Sequence, residues 1–450
     1  MAEFGPLLLA IPCAFSLRKL QLIVKDFSKA KLFPFQLGVS VSSGAEAIVH
    51  SARSYCKSKI ESSDPIALLK IDFENAFNTI RRDTFLNTAR TELSCLYPFL
   101  YQCYSASSFL FFNNLTLPSA EGIQQGDPLG PLCFSLTIQG LISRLISEYN
   151  VWYLDDGTLE GDPESVRADF NSILSEQDSL GLRVNLKKCE LTILGTDPSS
   201  NDFVSSSFIN QFPGMSLVAP QDLSLLGAPL FEEGIDRELN ARLLDLKLTC
   251  SRLEQLDHHD ALFLLKNVFF IPKFQYLLRS SPCYGNQIIE DLDLRMKNCL
   301  EKITNCRLDP FTFDQASLPV KLGGLGIRRT TDICRPAFIA SSIKYATIVE
   351  KLLNPNDVTF FSLLLSEATM AWKATDLRLV EPPGDAQQRQ KSWDLPVTQV
   401  VLTDLLNGAS APTTKALLQG VSSPNVSHWL NAILVLFLRL ASSSMTKVFE

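Results

Sequence analysis

The segment Val151–Leu159 reads VWYLDDGTL and carries two adjacent acids between two apolar arms. An Asp-Gly pair with apolar residues on both sides is the strongest short-range sequence signal for a β-hairpin. The pattern predicts a hairpin that turns at Asp156-Gly157 and carries Asp155 and Asp156 at its tip. A lone DDG triplet is more often an ordinary solvated turn, so its meaning depends on the segments around it.

A third acid lies earlier in the chain. Ile66–Ile71 (IALLKI) is a short apolar run typical of a buried strand, and Asn75–Arg90 has the spacing of a surface helix. Asp72 therefore lies where a strand ends and a helix begins, a position at which an aspartate is often only a helix cap. With Asp155 and Asp156 it offers three carboxylates, the ligands that hard cations such as Mg²⁺ prefer. The acids form a candidate two-metal site for nucleotidyl transfer.

The segments around these acids alternate between helical and extended patterns. Glycines and prolines exclude regular structure from Gly122–Pro131, whereas Pro131–Ile146 and Asp169–Leu180 have helical spacing. Gly181–Leu194 is predicted as a strand and Gly195–Pro220 as a Ser/Pro-rich loop. Helices mixed with antiparallel strands indicate the α+β class.

The second half of the chain is mostly helical in pattern. Asp236–Asn305 has balanced charge and helical spacing, Leu318–Ile327 (LPVKLGGLGI) predicts a turn between short strands, and Pro336–Leu353 is again helical. The polar segment Glu381–Ser392 predicts a linker to a weakly patterned C-terminal segment. No repeat of about 20–50 residues is present, which argues against solenoids and propellers.

The composition excludes several kinds of site. The eleven cysteines include no C-x-x-C pair, and the four histidines include no H-x-x-x-H pair. We therefore expect no zinc site, and we expect the thiols to be reduced. Gly5–Phe15 makes a poor signal peptide, and Leu430–Leu440 is too short to span a bilayer. We expect a soluble protein of the cytoplasm or nucleus with no membrane partner.

The net charge of −7 and the pI of about 5.4 weigh against nucleic-acid binding, because phosphate contacts call for a basic surface. Net charge does not report how charge is distributed, however. An enzyme that gathers carboxylates around metal ions can be acidic while one groove remains basic. The charge leaves nucleic-acid binding open.

Three segments in order resemble the A, B and C motifs of reverse transcriptases: KIDFENAF (Lys70–Phe77), GIQQGDPLGP (Gly122–Pro131) and YLDDG (Tyr153–Gly157). GLRVNLKKCEL (Gly181–Leu191) resembles the motif that follows, and LSLLGAPLF (Leu223–Phe231) resembles the primer-grip hairpin. Each segment alone is a weak signal. The ordered set is specific.

Other segments are similar to proteins of non-LTR (LINE-type) retrotransposons: PFQLGVSVSSGAEAIVHSAR (Pro34–Arg53), LPVKLGGLGI and SHWLNAI (Ser427–Ile433). The resemblance covers the chain from about Ile11 to Leu440. It implies a right-hand polymerase with partial fingers, a palm with an antiparallel sheet, a helical thumb and a mostly helical C-terminal region. The expected divisions are fingers and palm at 1–235, thumb at 236–310, an α/β segment at 311–380, and a linker with the C-terminal segment at 381–450.

The resemblance implies RNA-directed DNA polymerase activity on an RNA template, a DNA primer and dNTPs. Its metal would be Mg²⁺ as two ions, with Mn²⁺ as an alternative, held by Asp72, Asp155 and Asp156. Lys188 matches a lysine that protonates the leaving pyrophosphate, although a lysine in a KK pair is equally a solvated charge. Protein partners are not indicated.

Further site residues follow from the resemblance alone. Phe77 takes the position of the steric gate that crowds the 2′-carbon of the incoming sugar, and packing in an amphipathic helix is a compatible interpretation. The remaining residues match nucleotide-contacting or primer-contacting positions: Arg18, Phe73, Gln125 and Gly126 for the nucleotide, and Tyr153, Leu226 and Gly227 for the primer and template.

The sequence departs from the family pattern near its ends. Ile11-Pro12-Cys13 stands where relatives show Arg-Pro-Ile, so Ile11 replaces an arginine that would hold the triphosphate. The chain starts late, and nothing resembles an endonuclease, a ribonuclease H or a Cys/His knuckle, as expected for a truncated element copy. One alternative is therefore a catalytically impaired relic that binds nucleic acid. Another is an RNA-directed RNA polymerase, which Phe77 disfavours.

Overall fold

The computed structural model describes residues 25–423 and Val426, and it combines helices with β-sheet. This confirms the α+β class. Some residues singled out in the sequence lie outside the described residues: Ile11, Arg18 and Ser427–Ile433. The described residues divide into two compact units, the first comprising those up to Leu223 with Ile348–Val358 and the second Ser224–Thr347 with those from Thr359 onward.

The first half of the chain contains a five-stranded sheet, a separate two-stranded hairpin and surrounding helices. Its elements are α1 (Lys25–Leu32), α2 (Gly44–Lys59), β1 (Ile66–Ile71), α3 (Ala76–Thr79), α4 (Arg82–Glu92), α5 (Tyr97–Tyr104), β2 (Ser108–Phe112), β3 (Leu115–Ser119), α6 (Gly130–Ile142), β4 (Tyr149–Tyr153), β5 (Asp156–Gly161), α7 (Pro163–Leu180), β6 (Glu190–Leu194), α8 (Pro198–Gln211), β7 (Ser216–Leu217) and a 3₁₀ turn (Pro220–Asp222).

The second half is helical apart from one short hairpin, within the described residues. Its elements are β8 (Ser224–Leu225), β9 (Ala228–Pro229), α9 (Glu232–Leu253), α10 (His258–Leu264), a π-helical turn (Leu265–Phe269), α11 (Ile271–Ser280), α12 (Gln287–Thr304), α13 (Pro310–Ser317), a 3₁₀ turn (Val320–Leu322), α14 (Thr330–Leu352), α15 (Pro355–Lys373), a 3₁₀ turn (Gly384–Gln388), α16 (Gln390–Gly408) and α17 (Pro412–Val421).

The five-stranded sheet has β1 at its centre. The strand order is β4-β5-β1-β6-β7, β1 is antiparallel to both neighbours, and β6 and β7 are parallel. Side chains alternate across a strand, and β1 places Ala67, Leu69 and Ile71 in the main hydrophobic core. Lys70, and Asp72 just beyond the strand, therefore lie on the opposite face.

Helix α7 packs against the apolar face of this sheet, and α4 and α6, which pack on each other, complete the same core. They contribute Phe85, Phe134 and Phe170, all buried in the same core cluster. Burial of each such side chain contributes roughly 1.5–3 kcal/mol. The position of β1 between its neighbours is therefore strongly determined.

The hairpin predicted at Val151–Leu159 is confirmed, but its turn lies earlier than expected. Strand β4 pairs with β5 so that Tyr153 is opposite Asp156. Leu154 and Asp155 are therefore the two turn residues, and the prediction that the Asp-Gly pair forms the turn is wrong.

The glycine of the DDG triplet has a packing role instead. Gly157 lies directly across from Trp152, and a Cβ at Gly157 would lie 2.6 Å from two carbons of the indole ring. Trp152 is fully buried, and its ring N–H donates to Asn150 Oδ1 at 2.8 Å. The glycine therefore makes room for a core ring.

Two elements near Asp72 are shorter than their sequence patterns indicate. The helix predicted over Asn75–Arg90 divides into α3 and α4, because the backbone is extended at Ile80, whose side chain enters the core. The strand predicted over Gly181–Leu194 is regular only in β6. Its earlier part makes a single bridge between Val184 and Phe73.

The prediction of a loop over Gly195–Pro220 is wrong, because this segment contains α8. The Asp197 carboxylate accepts the backbone N–H groups of Ser199 and Ser200 and caps the helix. An aspartate followed by proline is a helix-start signal, but the Ser/Asn-rich composition of α8 hides its periodicity.

The prediction of short strands in Leu318–Ile327 is also wrong. This segment forms a 3₁₀ turn and returns so closely on itself that a Cβ at Gly324 would overlap the carbonyl of Leu318. Glycine in such a segment permits close backbone approach, which sequence alone does not distinguish from a strand turn.

The other predicted elements are confirmed with shifted ends. Pro131–Ile146 corresponds to α6, Asp169–Leu180 to the second part of α7, Asp236–Asn305 to α9 to α12, Pro336–Leu353 to most of α14, and Leu223–Phe231 to the hairpin of β8 and β9.

The segment His258–Ser280 is long and apolar enough to cross a membrane by length and composition alone. It comprises α10, the π-helical turn and α11. Leu264, Phe274 and Leu277 lie in the core cluster of the second unit. We interpret the segment as core helices, since such helices pass the same test.

Arg82 in α4 fixes the chain that leads to the glycine-rich segment. Its guanidinium donates to the carbonyls of Ser119 at 2.8 Å, Glu121 at 3.1 Å and Gly122 at 2.9 Å. The residue is 8% exposed and lies over the ring of Tyr104. A planar guanidinium satisfies these three carbonyls together, which a single ammonium group does not.

We expect Arg82→Lys to lower the free energy of unfolding by about 2–3 kcal/mol, because carbonyls around it would lose their partners. Arg81→Lys is the control, since Arg81 is exposed and pairs with Asp83, and should change stability by less than about 0.5 kcal/mol. Urea denaturation of both variants measures the difference. Equal destabilisation would contradict this role for Arg82.

Candidate active site

Antiparallel pairing brings Asp72 and Asp156 to the same edge of the sheet. In the pairing of β1 with β5, Ile71 lies opposite Gly157. One further step in this register sets Asp72 opposite Asp156, where Cβ atoms of paired residues are about 4.5–5.5 Å apart. Asp155 precedes Asp156 in the turn. The structure therefore brings together the three acids that the sequence singled out.

Asp72 is anchored through its backbone and has an unpartnered oxygen. Its carbonyl accepts the Asn185 N–H at 2.8 Å. Its Oδ1 is buried and has no hydrogen-bond partner. A buried polar atom in this state is costly unless it gains a partner. A bound cation supplies one, so the donor set at Asp72 fits a divalent ion.

Asp155 and Asp156 lie in an environment that disfavours their charged forms. Loss of hydration raises the pKa of Asp156 to about 6, with smaller contributions from the charges of Asp155 and Asp72. Loss of hydration and the charge of Asp72 also raise the pKa of Asp155. Asp156 nevertheless keeps an accessible surface at the hairpin tip. The negative charge at this edge is only partly compensated by the protein.

Lys70 supplies part of that compensation. Its charge lowers the pKa of Asp156, and its ammonium lies 2.5 Å from the Glu190 carboxylate on the neighbouring strand. Lys70 is not among the site residues expected from the sequence. The alternation of β1, which sets residues 70 and 72 on one face, is the signal that could have found it.

The carboxylates do not form a closed ligand cage. Within the part of the chain that the structure describes, no three His, Cys, Asp or Glu side chains already form a metal-binding group. The three acids thus offer carboxylate oxygens to a divalent cation without enclosing it.

The turn that carries the acids is strained. Leu154 has φ 59°, in the left-handed region. This conformation costs a residue with a side chain about 1–2 kcal/mol. It persists only where surrounding contacts determine the backbone.

The glycine-rich segment lies along α3. Gly122 approaches the carbonyl of Asn78 so closely that a Cβ would overlap it. Gly126 has φ 87° and nothing within 4 Å of its Cβ position, and Gln125 is exposed. Close packing within the protein therefore occurs at Gly122, whereas Gln125 and Gly126 border open space.

The two phenylalanines after Asp72 differ in accessibility. The Phe77 ring is half-buried and stacks on Phe134 with centroids 4.5 Å apart. Phe73 is buried, and its ring stacks on Trp152 at 6.1 Å. Phe77 thus stays partly accessible, while the Phe73 side chain belongs to the core.

Lys188 lies in a turn beside Asp72. The side chain is exposed, and its backbone N–H donates to the Asn185 carbonyl at 2.9 Å. Asn185 in turn donates to Asp72, which ties this turn to the acid. Tyr153 is half-buried and pairs with Asp156 across the hairpin.

The predicted primer-contacting residues Leu226 and Gly227 form the turn between β8 and β9 in the second unit. Leu225 pairs with Ala228, and the turn residues have φ 49° and 77°. These values are typical of a type I′ hairpin turn. The Tyr276 hydroxyl donates to the Leu226 carbonyl at 2.8 Å and fixes the turn.

A comparison with known protein families covers this part of the chain. Residues 10–230 match the family model described as reverse transcriptase (RNA-dependent DNA polymerase). The matched region is similar to a reverse transcriptase domain. It includes the three acids, the glycine-rich segment and the turn of Lys188. The family's activity is RNA-directed DNA polymerisation, and its members use divalent metals.

A curated relative is the retrotransposable element SLACS 132 kDa protein of Trypanosoma brucei gambiense. It is 24% identical over 283 residues, which cover 60% of this chain and 23% of that protein. The chain thus spans less than a quarter of the relative's length. The relative is a protein of a retrotransposable element, in keeping with the LINE-type segments singled out in the sequence. This relationship does not favour an RNA-directed RNA polymerase or a relic.

A similar solved structure is telomerase from Candida albicans in complex with a TWJ fragment of telomeric RNA. Its TM-score is 0.36 at 10% identity, covering 93% of this chain and 57% of that chain. At this TM-score and identity, the similarity supports no conclusion about fold or function. The assignment of the reverse transcriptase domain rests on the family match.

The raised pKa of Asp156 predicts how charge at this edge affects stability. The folded protein disfavours the charged form of Asp156. In the metal-free protein, the contribution of this group to the free energy of unfolding should therefore rise as pH falls through about 6. Asp156→Asn mimics the protonated group. We expect it to stabilise the metal-free protein at pH 7 by about 1 kcal/mol or less, after allowance for solvent screening.

Thermal unfolding with and without Mg²⁺ checks this expectation. Asp156→Asn should also reduce the stabilisation that Mg²⁺ provides. Asp162→Asn is the control, because Asp162 caps α7 and asparagine caps equally well. A metal-free Asp156→Asn protein that unfolds at a lower temperature than the wild type would contradict the expectation.

Proposed function

We propose that this chain is an RNA-directed DNA polymerase that extends a DNA primer on an RNA template. In this proposal Asp72, Asp155 and Asp156 form the catalytic metal site. The observation that carries it is the buried, unpartnered Oδ1 of Asp72, at the end of the strand that pairs with the acid-bearing hairpin. Carboxylates gathered with so little compensating charge suit a site for cations.

Mg²⁺ is the proposed metal, bound as two ions, with Mn²⁺ as an alternative. The three aspartates would hold it through oxygen, the donor that both ions accept. When bound, such a metal would supply activation of the primer 3′-hydroxyl and charge stabilisation of the pyrophosphate leaving group. The remaining ligands would come from water and from the phosphates of the dNTP.

The chain's own groups would position the nucleotide. Gln125 and Gly126 border open space beside α3, and we assign them to the incoming nucleotide and the templating base. The backbone of Phe73, together with Arg18, would contact the triphosphate. Lys188 would donate a proton to the leaving pyrophosphate, because it is an exposed cation on a turn tied to Asp72.

The two units would have different tasks in a right-hand polymerase. We assign the sheet and its helices to the palm with partial fingers, and the helices in residues 236–310 to the thumb. Tyr153, Leu226 and Gly227 would contact the primer and template. Recognition of the duplex would be by shape and backbone, since a copying enzyme reads no fixed sequence. Cytoplasm or nucleus is the proposed location.

Primer extension tests the proposed activity. The purified protein with Mg²⁺, a primed RNA and dNTPs should extend the primer, and Asp155→Asn should reduce the rate at least about 10³-fold, because it removes a metal-binding carboxylate. Asp64→Asn is the control, since Asp64 is exposed in the turn before β1. Equal rates for the wild type and Asp155→Asn would rule out this catalytic site.

Phe77→Ala tests the gate. With the ring removed, a 2′-hydroxyl would meet less resistance, and the preference for dNTPs over rNTPs should fall roughly tenfold or more. Phe212→Leu is the control for lost core packing, because Phe212 is buried and its ring packs against Phe170, whereas Phe77 stacks on Phe134. The ratio of kcat/KM for dNTPs and rNTPs is the measurement. An unchanged ratio would leave Phe77 with a packing role alone.

A further inference from the structure

Gln36 lies in PFQLG (Pro34–Gly38), a segment that the proposed mechanism does not use. Its side chain is fully buried. The backbone around it runs parallel to β4, because the Leu37 N–H donates to the Trp152 carbonyl at 2.8 Å and the Trp152 N–H donates to the Phe35 carbonyl at 2.7 Å. The segment thus extends the sheet beyond β4, toward the tip of the catalytic hairpin.

At the tip, the Gln36 side chain replaces the backbone as the bonding partner. Its Oε1 accepts the Leu154 N–H at 2.7 Å and the Gly38 N–H at 3.0 Å, and its Nε2 donates to the Leu154 carbonyl at 2.9 Å. One amide therefore holds both backbone polar groups of one residue, as a neighbouring strand would. The amide orientation is chemically consistent, since two donors face Oε1 and an acceptor faces Nε2.

The residue held in this way is the strained one. Leu154 has φ 59° and immediately precedes Asp155. A left-handed conformation at a residue other than glycine persists when the surrounding structure determines it. If Leu154 relaxed, the peptide that leads into Asp155 would rotate, and both hairpin acids would change direction relative to Asp72.

Gly38 provides a second, independent observation. A Cβ at Gly38 would lie 2.7 Å from the Leu154 nitrogen and 2.8 Å from its Cγ. The backbone at Gly38 therefore approaches Leu154 as closely as only glycine permits. Two residues of the PFQLG segment are thus fitted to the same turn residue.

We propose that Gln36 is a positioning residue of the catalytic hairpin. It fixes the peptide groups of Leu154 and, through them, the directions of the Asp155 and Asp156 carboxylates, without contacting substrate. The proposal rests on the proposed function in one respect, that these acids bind the metal. A buried amide 118 residues away in sequence would then control the geometry of the metal site.

Two variants remove the interaction in different ways. Gln36→Leu removes all three hydrogen bonds at similar size, whereas Gln36→Glu keeps the acceptor and sets an oxygen against the Leu154 carbonyl. Asp169→Asn is the matched control. Asp169 is also buried, and its carboxylate accepts the Ile146 and Ser147 N–H groups at the other end of β4.

Two measurements distinguish positioning from general stability. In primer extension, both Gln36 variants should lower kcat roughly 10–100-fold while KM for dNTP changes less than about twofold. The Mg²⁺ concentration for half-maximal thermal stabilisation should rise roughly tenfold, as when a group that orients metal ligands is lost. Asp169→Asn should lower the melting temperature and leave both quantities at wild-type values.

Gln36 variants that lose stability but keep wild-type kcat and Mg²⁺ midpoint would overturn the proposal. If the wild type extends no primer, the proposed function fails, and the Mg²⁺ midpoint still tests Gln36: a raised midpoint supports positioning and an unchanged one overturns it. Should Gln36→Leu not fold, Gln36→Glu and Gly38→Ala carry the same test, because Gly38→Ala pushes directly on Leu154.

Discussion

The antiparallel register between β1 and β5 is the constraint on which the site depends. Every step of that pairing is determined by the core, because a shift of one residue would turn Leu69 and Ile71 out of it. The same register decides what meets Asp72 beyond the end of β1. The hydrophobic interior thus sets which carboxylates become neighbours, although none of its own side chains takes part in the chemistry.

This arrangement concentrates negative charge at a cost to the fold. Lys70 offsets part of it, and burial leaves one Asp72 oxygen without a partner. A protein selected for stability alone would place neutral groups there. The excess of carboxylate over positive charge fits the proposed role of these acids in binding a divalent cation, the kind of metal that the family uses. The acidic net charge of the chain says little about this local requirement.

The acids could be predicted from the sequence because each lies next to a strong local signal, a buried strand or a hairpin. The exact turn could not, because the choice between Leu154-Asp155 and the Asp-Gly pair depends on pairing with β4 and on the packing of an indole ring. The α8 helix was hidden by its serine-rich composition. The role of Gln36 could not be predicted for a different reason. Its partner Leu154 is distant in the chain, and no local sequence pattern encodes a hydrogen bond between a buried amide and a remote turn.

The Gly157–Trp152 contact explains one residue of the DDG motif by which the sequence resembles a polymerase. The third letter of its DDG triplet is dictated by the volume of an indole on the adjacent strand, since any larger residue would collide with the ring. The two aspartates of the triplet are thus constrained by the proposed reaction, whereas the glycine is constrained by packing. A larger residue at Gly157 would destabilise the fold even in a protein that no longer needed the two acids for activity. The glycine of the DDG triplet can therefore be retained after the activity is lost.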